Sequence, residues 1–390
     1  MSECIENPGA ARGARTARCL GAARRVVVKV GSTLLVDPST GTLNSAWLAT
    51  LAEDLAALRR NGQEVLVVSS GAVALGRAVL GIGRDRRLDT AQAAAAAGQI
   101  ALADAWRGVL AGHELKTAQI LLTLEDSDQR RRYLNARATI ERLLTLGAIP
   151  IVNENDTVAT AEIRYGDNDR LAARVAQMAS ADCLVLLSDV DALYTADPTR
   201  NPDARPIPVV EEIDAGIVAM AGESASDLGS GGMITKLAAA RVALGAGCHM
   251  AIASGRVAHP LKALAAGGRC TWFVAGQSPK TVRKQWIAGV LEPKGELIVD
   301  AGAARALVGG SSLLPAGVIA IHGEFSRGDA VVVRPAAGPP LAHGLVAYSA
   351  GEARAIRGRH SRDIESLLGY RGREELIHRD DLVMLNAVSG

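Results

Sequence analysis

From Arg25 onward the chain alternates short β-branched runs with stretches of helical periodicity, and it does so for about 250 residues. Val26-Val27-Val28-Lys29-Val30 reads as a first strand, Asn44 to Arg60 as a helix with Trp47, Leu48, Leu51, Leu55 and Leu58 turned inward, and Glu64 to Val68 as a second strand. Further strands are predicted at Ala118–Leu122, Ile149–Val152, Leu184–Leu187, His249–Ala253 and Thr271–Val274, with helices near 90–110, 130–146, 169–180, 232–245 and 259–266. Strand, helix, strand in this order predicts an α/β fold, a mostly parallel sheet sandwiched by helices. Composition agrees: hydrophobic residues make up 48% and aromatic residues only 3%, so the core is built of Ala, Val, Leu and Ile, as parallel strands buried on both faces require.

The pattern changes after Ser278. Residues 286–384 carry short β-like runs, Glu296–Val299, Val318–Ile321 and Ala330–Arg334, with little helical periodicity before Ser361, and are predicted to form a second, β-rich domain. Residues 25–277 then form the α/β domain, and 278–285, entered through Gln277-Ser278-Pro279, a linker. Residues 1–24 scatter Arg12, Arg15, Arg18 and Arg24 among Ala and Gly. They lack the apolar centre of a secretory signal, and Glu3 and Glu6 speak against a transit segment, so a disordered Arg-rich extension is expected. A formal net charge of +2 excludes a globally basic nucleic-acid binder or an acidic tail protein. The five cysteines are widely spaced with no C-x-x-C pair, which points to a reducing compartment and away from zinc. No run approaches the roughly 18 apolar residues of a membrane span, and no membrane partner is expected.

Chemistry concentrates at the ends of the predicted strands. Between Asn153 and Asp169 lie two clusters of acids and amides, Asn153 to Asp156 where a buried strand emerges and Gly166 to Asp169 where a helix opens. Asp167 or Asn168 can cap that helix, but one cap accounts for one polar residue and not for six. Lys29 sits in an otherwise apolar strand and is followed by Gly31-Ser32-Thr33, whose N–H groups and hydroxyls suit phosphate; an edge-strand lysine is the plainer alternative. Ser69-Ser70-Gly71-Ala72 lets a ligand approach the backbone after the second strand, a weak signal by itself. Gly229-Ser230-Gly231-Gly232-Met233-Ile234-Thr235-Lys236 runs into a helix with Lys236 on its first turn. No Gly-Lys dipeptide occurs, which excludes a Walker A loop, and no G-x-G-x-x-G supports a dinucleotide site. Ser188-Asp189, after the strand Leu184–Leu187, can bond a base or ribose, although turn chemistry explains Asp191 and Asp197 equally well. His378-Arg379-Asp380 matches a fragment of a protein-kinase catalytic loop, but Asn386 falls one residue too far along and no Asp-Phe-Gly accompanies it.

Two lysines with N–H-rich loops favour a polyphosphate, and the acid and amide clusters favour an amino-acid substrate with a divalent cation. No His or Cys lies in any of these motifs. A carboxylate acceptor is ionised at neutral pH and needs no general base; what it needs is relief of repulsion between two anions, which Lys29, Lys236 and Mg²⁺ can supply.

Taken together these stretches closely resemble the glutamate 5-kinases of the amino-acid kinase superfamily. The resemblance is carried by Val28-Lys29-Val30-Gly31-Ser32, Ser69-Ser70-Gly71-Ala72, Leu134-Asn135-Ala136-Arg137, Val152 to Asp156, Gly166 to Asp169, Leu193 to Pro198 and Gly229 to Lys236, and it continues through Gly310 to Pro315, Phe325 to Gly328 and His378 to Asp381. It implies ATP-dependent phosphorylation of the L-glutamate side-chain carboxylate to L-glutamyl 5-phosphate, the first step of proline biosynthesis, in the cytoplasm. By position it gives Lys29, Lys236 and Asp169 catalytic roles and makes Ser70, Asp156 and Asn168 glutamate ligands. ATP contacts fall on Lys29, Ser188, Asp189 and the run Ser230, Gly231, Gly232, Met233, Ile234, Thr235 and Lys236. Mg²⁺ is expected through the ATP phosphates, with no protein metal ligand assigned. The resemblance further implies feedback inhibition by proline, a homo-oligomer (tetramer or dimer) and glutamyl phosphate reductase as a functional partner. Ser69 and Ser188 stand where such kinases often carry Thr, which keeps the hydroxyl; the Arg-rich extension has no counterpart. The C-terminal domain resembles a PUA domain, a module that binds RNA elsewhere. Its cluster Arg354, Arg357, Arg359, His360 and Arg362 has no interleaved aromatics, and a solvated face or a contact to the kinase domain is favoured over RNA binding. Asp156 and Asn168 are expected to meet across a hairpin, Thr157 to Tyr165.

Overall fold

Strands form where the apolar runs lie. The computed structural model describes residues 20–83, 87–159, 168–221, 232–289 and 292–385. In chain order the strands of the first unit are β1 (Arg25–Val30), β2 (Glu64–Ser69), β3 (Thr117–Leu122), β4 (Ile149–Glu154), β5 (Cys183–Ser188), β6 (Leu193–Tyr194), β7 (Pro206–Ile207), β8 (Val209–Val210), β9 (His249–Ser254) and β10 (Cys270–Phe273). Eight make one sheet in the order β3-β4-β2-β1-β5-β9-β10-β8, while β6 and β7 pair separately. Neighbours from β3 through to β9 run parallel, and β10 turns antiparallel against β9. The mostly parallel, helix-covered sheet expected from the sequence is the architecture found. β1 and β5 are buried along their whole length, the condition of parallel strands covered on both faces.

From β1 the chain first builds one side of the sheet with β2, β4 and β3, then crosses to the other side at β5. The crevice beyond the carboxyl ends of β1 and β5 is therefore a topological switch point, where open α/β sheets bind ligands. Alternation along β1 sorts its side chains. Val26, Val28 and Val30 join a core with Leu48, Leu51 and Leu55 of the helix Ser45–Arg60 and with Trp106. Val27 joins the opposite core, with Leu171, Ala172 and Val175 of the helix Asn168–Met178 and with Leu237 and Ala240 of the helix Met233–Gly245. A period of two puts Lys29 on the Val27 face, under those two helices.

The turn after β2 is fixed differently. Gly71 has φ +105°, a left-handed conformation that glycine adopts without penalty, and starts the helix Ala72–Leu80. That helix crosses the helix Leu88–Ala111 backbone to backbone: a Cβ on Gly98 would lie 1.8 Å from the Ala72 carbonyl oxygen, and one on Gly76 1.6 Å from that of Ala94. At the amino end of β1, Arg25 forks onto Glu141 at 2.6 and 3.0 Å and donates from Nε to Glu64 at 2.9 Å, so a buried guanidinium is fully paired.

The chain divides into two compact units at Pro279 and Lys280. The second unit has a five-stranded sheet of β11 (Gly295–Val299), β12 (Val318–Gly323), β13 (Ala330–Pro335), β14 (Ala342–Leu345) and β15 (Leu382–Met384), ordered β12-β11-β13-β14-β15 and mostly antiparallel. Three features differ from the sequence reading. The stretch 278–285 is no linker: it lies largely within the helix Pro279–Gly289, whose Arg283 ion-pairs with Asp381. Helical structure precedes Ser361, at Ala301–Val308, capped by Asp300, and at Ala350–Ile356, with a Ser349 and Glu352 capping box. Two turns give too few repeats for a period to register. Finally, Leu20 and Ala23, placed in the expected extension, are buried, and Gln63 donates to both of their carbonyls; residues 1–19 lie outside the described residues, as do residues 160–167, most of the expected hairpin. Among the described residues no helix is long and apolar enough to cross a membrane.

The helix crossing gives a stability test with an internal control. Gly98→Ala is expected to destabilise the chain by about 3 kcal/mol, because the added methyl meets rigid backbone. Gly108→Ala, in the same helix with nothing within 4 Å of its Cβ, is expected to stabilise it by about 0.5–1 kcal/mol. Urea denaturation midpoints of the two variants, moving in opposite directions, check both.

Candidate active site

The parallel strands deliver their functional groups to one edge of the sheet. A cleft of about 340 Å³ opens there, lined by Lys29 of β1 and Gly31 to Thr33 after it, by Ser70 to Ala74 and Arg77 after β2, by Asn153 and Glu154 at the end of β4 and Asp156 after it, by Ser188 at the end of β5 and Asp189 after it, and by Asn168 and Lys236 from the covering helices.

At its floor Asp169 is 1% exposed and lies between two ammonium groups, 2.7 Å from Lys29 Nζ through Oδ1 and 3.0 Å from Lys236 Nζ through Oδ2. Thr235 Oγ1 lies 3.3 Å from Oδ2. Burial by itself pushes the Asp169 carboxyl up, but the charges of Lys29 and Lys236 and their hydrogen bonds outweigh it and hold the group below the usual carboxylate range. Both lysines are buried as well. Asp169 lies in the first turn of the helix Asn168–Met178, where the macrodipole favours it. Lys236 lies in the first turn of the helix Met233–Gly245, where the dipole adds to its positive field.

A second group sits beside this one. Asn168 Nδ2 donates toward Ser70 Oγ at 2.6 Å, Asn153 Oδ1 at 3.1 Å and the Ser69 carbonyl at 3.2 Å. Its Oδ1 is buried with no hydrogen-bond partner among the described residues. Asn168 is thus a cross-link between strand ends and not a cap; Asp167, the other capping candidate, lies outside the described residues. Asp156 is partly buried with no ion pair among the described residues, and burial pushes its carboxyl up to about 6. Ser188 Oγ donates to Asp189 Oδ1 at 2.9 Å on the β5 side.

Of the residues singled out in the sequence, Lys29, Ser70, Asp156, Asn168, Ser188, Asp189 and Lys236 line this one cleft, with Asp169 beneath it. Gly232 is the N-cap of the helix Met233–Gly245 and Thr235 touches Asp169, whereas Met233 packs partly on the core and Ile234 is exposed. Ser230 and Gly231 lie outside the described residues. Sequence reasoning passed over Arg77, and a helix drawn from Ala72 would have put Val73, Ala74 and Arg77 on one side of it.

The model of the amino acid kinase family matches residues 24–254, and that of the PUA domain residues 295–368. A protein of Paramagnetospirillum magneticum named glutamate 5-kinase is 62% identical over 365 residues, covering 94% of this chain and 99% of the relative. One of Rhodopseudomonas palustris with the same name is 60% identical over 362 residues, covering 93% and 96%. Among solved structures, a carbamate kinase from Giardia lamblia bound to AMP-PNP is similar over 65% of this chain and 99% of its own, at 17% identity and a TM-score of 0.47.

Asp156 makes the ligand-free stability depend on pH. An unfolded chain releases this proton near 3.8 and the folded chain holds it to about 6. The folded state therefore binds more protons in that window, and stability falls as pH rises through it, by about 3 kcal/mol at most. Asp156→Asn is expected to melt higher than the parent at pH 7.5 and to lose that advantage at pH 4, measured without ligand by thermal unfolding.

Proposed function

The chain belongs to the amino acid kinase family, and we propose, for a member whose relatives over nearly the whole length are glutamate 5-kinases, how its cleft divides the work. It phosphorylates glutamate at the expense of ATP, in proline biosynthesis. The reading of the site rests on one observation above the others: a buried carboxylate holds two ammonium groups at the floor of the cleft that also presents Ser70, Asn168 and Asp156.

Asp156, by its charge, and Asn168 Oδ1, an acceptor with no hydrogen-bond partner among the described residues, suit the α-ammonium of L-glutamate. Ser70 Oγ, held by Asn168, fixes the substrate against the turn after β2. The side-chain carboxylate, already ionised, attacks the γ-phosphorus of ATP; a new P–O bond forms as the bond to the ADP oxygen breaks, and no proton is transferred. Lys29 and Lys236 face the phosphoryl oxygens, and Asp169 keeps their ammonium groups apart and aimed. Ser188, Asp189 and the run from Ser230 to Lys236 receive the nucleotide. Among the described residues no three acids, histidines or cysteines cluster to hold a metal, and Asp169 is taken up by lysines, so the donor set suits a cation carried in on ATP. Mg²⁺ there neutralises charge on the phosphates. In the same reading the first unit, to Pro279, is the kinase domain, and the second, from Lys280, carries the PUA domain. The enzyme works in the cytoplasm as a homo-oligomer, is inhibited by proline and hands its acyl phosphate to glutamyl phosphate reductase.

Purified protein given glutamate, Mg-ATP and hydroxylamine is expected to form the γ-hydroxamate; failure to do so, with turnover of another acceptor, overturns the substrate assignment. Lys236→Ala is expected to lower kcat by about 10²- to 10³-fold with the glutamate KM changed only a few-fold, since its charge acts as negative charge redistributes. An unchanged kcat removes Lys236 from the chemistry. For glutamate, kcat/KM is expected to fall about tenfold per unit below pH 6 as Asp156 takes up its proton, and Asp156→Asn to give a lower profile without that inflection. ADP release measured between pH 5 and pH 8 distinguishes the two shapes.

A further inference from the structure

Ser69 and Ser70 form the turn at the carboxyl end of β2, and they are held from both faces of the sheet. From the face covered by the helix Asn168–Met178, Asn168 donates toward the Ser69 carbonyl and Ser70 Oγ. Meanwhile the Ser70 N–H donates to the Val30 carbonyl at 3.1 Å. From the other face comes a side chain 37 residues further along the chain: Trp106 Nε1 donates to Ser69 Oγ at 2.9 Å. Both Trp106 and Ser69 are fully buried.

A buried indole N–H must find an acceptor, and in a helix-on-sheet core the plain solution is a nearby carbonyl. Here the acceptor is instead the hydroxyl of the residue next to Ser70. While its oxygen accepts from the indole, the Ser69 hydroxyl donates to the Ser70 carbonyl, 3.3 Å away. The ring is anchored in turn, since Trp106 packs in the core with Val65 and Val67 of β2 and Leu102 of its own helix. The chain of bonds runs from a rigid interior side chain to the backbone that carries Ser70.

We propose that Trp106 is a positioning residue for the glutamate subsite, acting through the Ser69 hydroxyl to set the place of Ser70. The proposal rests on the assignment of Ser70 to glutamate. Trp106 touches no substrate. Its loss moves the Ser70 hydroxyl and leaves the ATP side of the cleft, at Ser188 and Asp189 at the carboxyl end of β5, in place. An indole that merely filled the core would loosen both sides together.

Steady-state kinetics of the full chain test this with Trp106→Phe, Ser69→Ala, the double variant, Ser69→Thr and Ser70→Ala. Trp106→Phe and Ser69→Ala are each expected to raise the glutamate KM about tenfold with the ATP KM within about twofold, and the double variant to be no worse than the worse single one. Ser69→Thr, which keeps the acceptor, is expected to stay near the parent value. Additive effects, or parallel rises in both KM values, overturn the proposal. If Trp106→Phe does not fold, Ser69→Ala decides: an unchanged glutamate KM overturns the link. A glutamate KM unchanged in Ser70→Ala would instead overturn the subsite assignment and this proposal with it. A raised KM in Ser70→Ala beside normal values in the other variants would overturn the positioning role alone.

Discussion

Everything at the cleft floor depends on one carboxylate between two amines. Burying two ammonium groups a few ångströms apart is strongly unfavourable, and Asp169, 1% exposed and touching both, is what makes it tolerable. Counted over these three side chains, one negative charge faces two positive, and an anion that reaches them is attracted by both ammonium groups. A polyphosphate bound there adds its binding free energy to the stability of the folded chain.

The surrounding fold is what permits such a trio. Lys29 sits on a central strand and reaches the face where two helices begin; those helices bring Asp169 and Lys236 in their first turns. Three elements from widely separated parts of the chain meet because parallel strands share a direction and their following helices start at the same edge. The glutamate side is arranged by the same edge: Ser70 follows β2, Asn153 lies near the end of β4 and Asp156 follows it, and Asn168 ties Ser70 to Asn153 by hydrogen bonds.

Much of this was legible in the residues. The β-branched runs located the central strands because burial on both faces leaves no freedom to place polar groups there, and Lys29 stood out for the same reason. The acid and amide clusters stood out by excess: more polarity than a turn or a cap requires. What escaped was either short or distant. The helices Ala301–Val308 and Ala350–Ile356 have too few turns to show a period, and Pro279–Gly289 begins with the residues that marked a boundary. The reversal of β10 left no trace, because a buried strand reads alike in either direction. Arg77 lay on an unpredicted helix, and the bond from Trp106 to Ser69 joins positions that no local pattern relates.

The crossing of the helices Ala72–Leu80 and Leu88–Ala111 is a seam of backbone against backbone, with no side chains between Gly98 and the Ala72 carbonyl. Such a seam has no rotamers to exchange and little free volume to compress. The turn at Ser70, which leads straight into it, therefore has little conformational entropy left to surrender when a substrate docks. It also has little room to drift: a lineage seeking a new acceptor would have to reshape the cleft from the β4 side, where Asp156 stands, because the β2 side is set by the main chain itself.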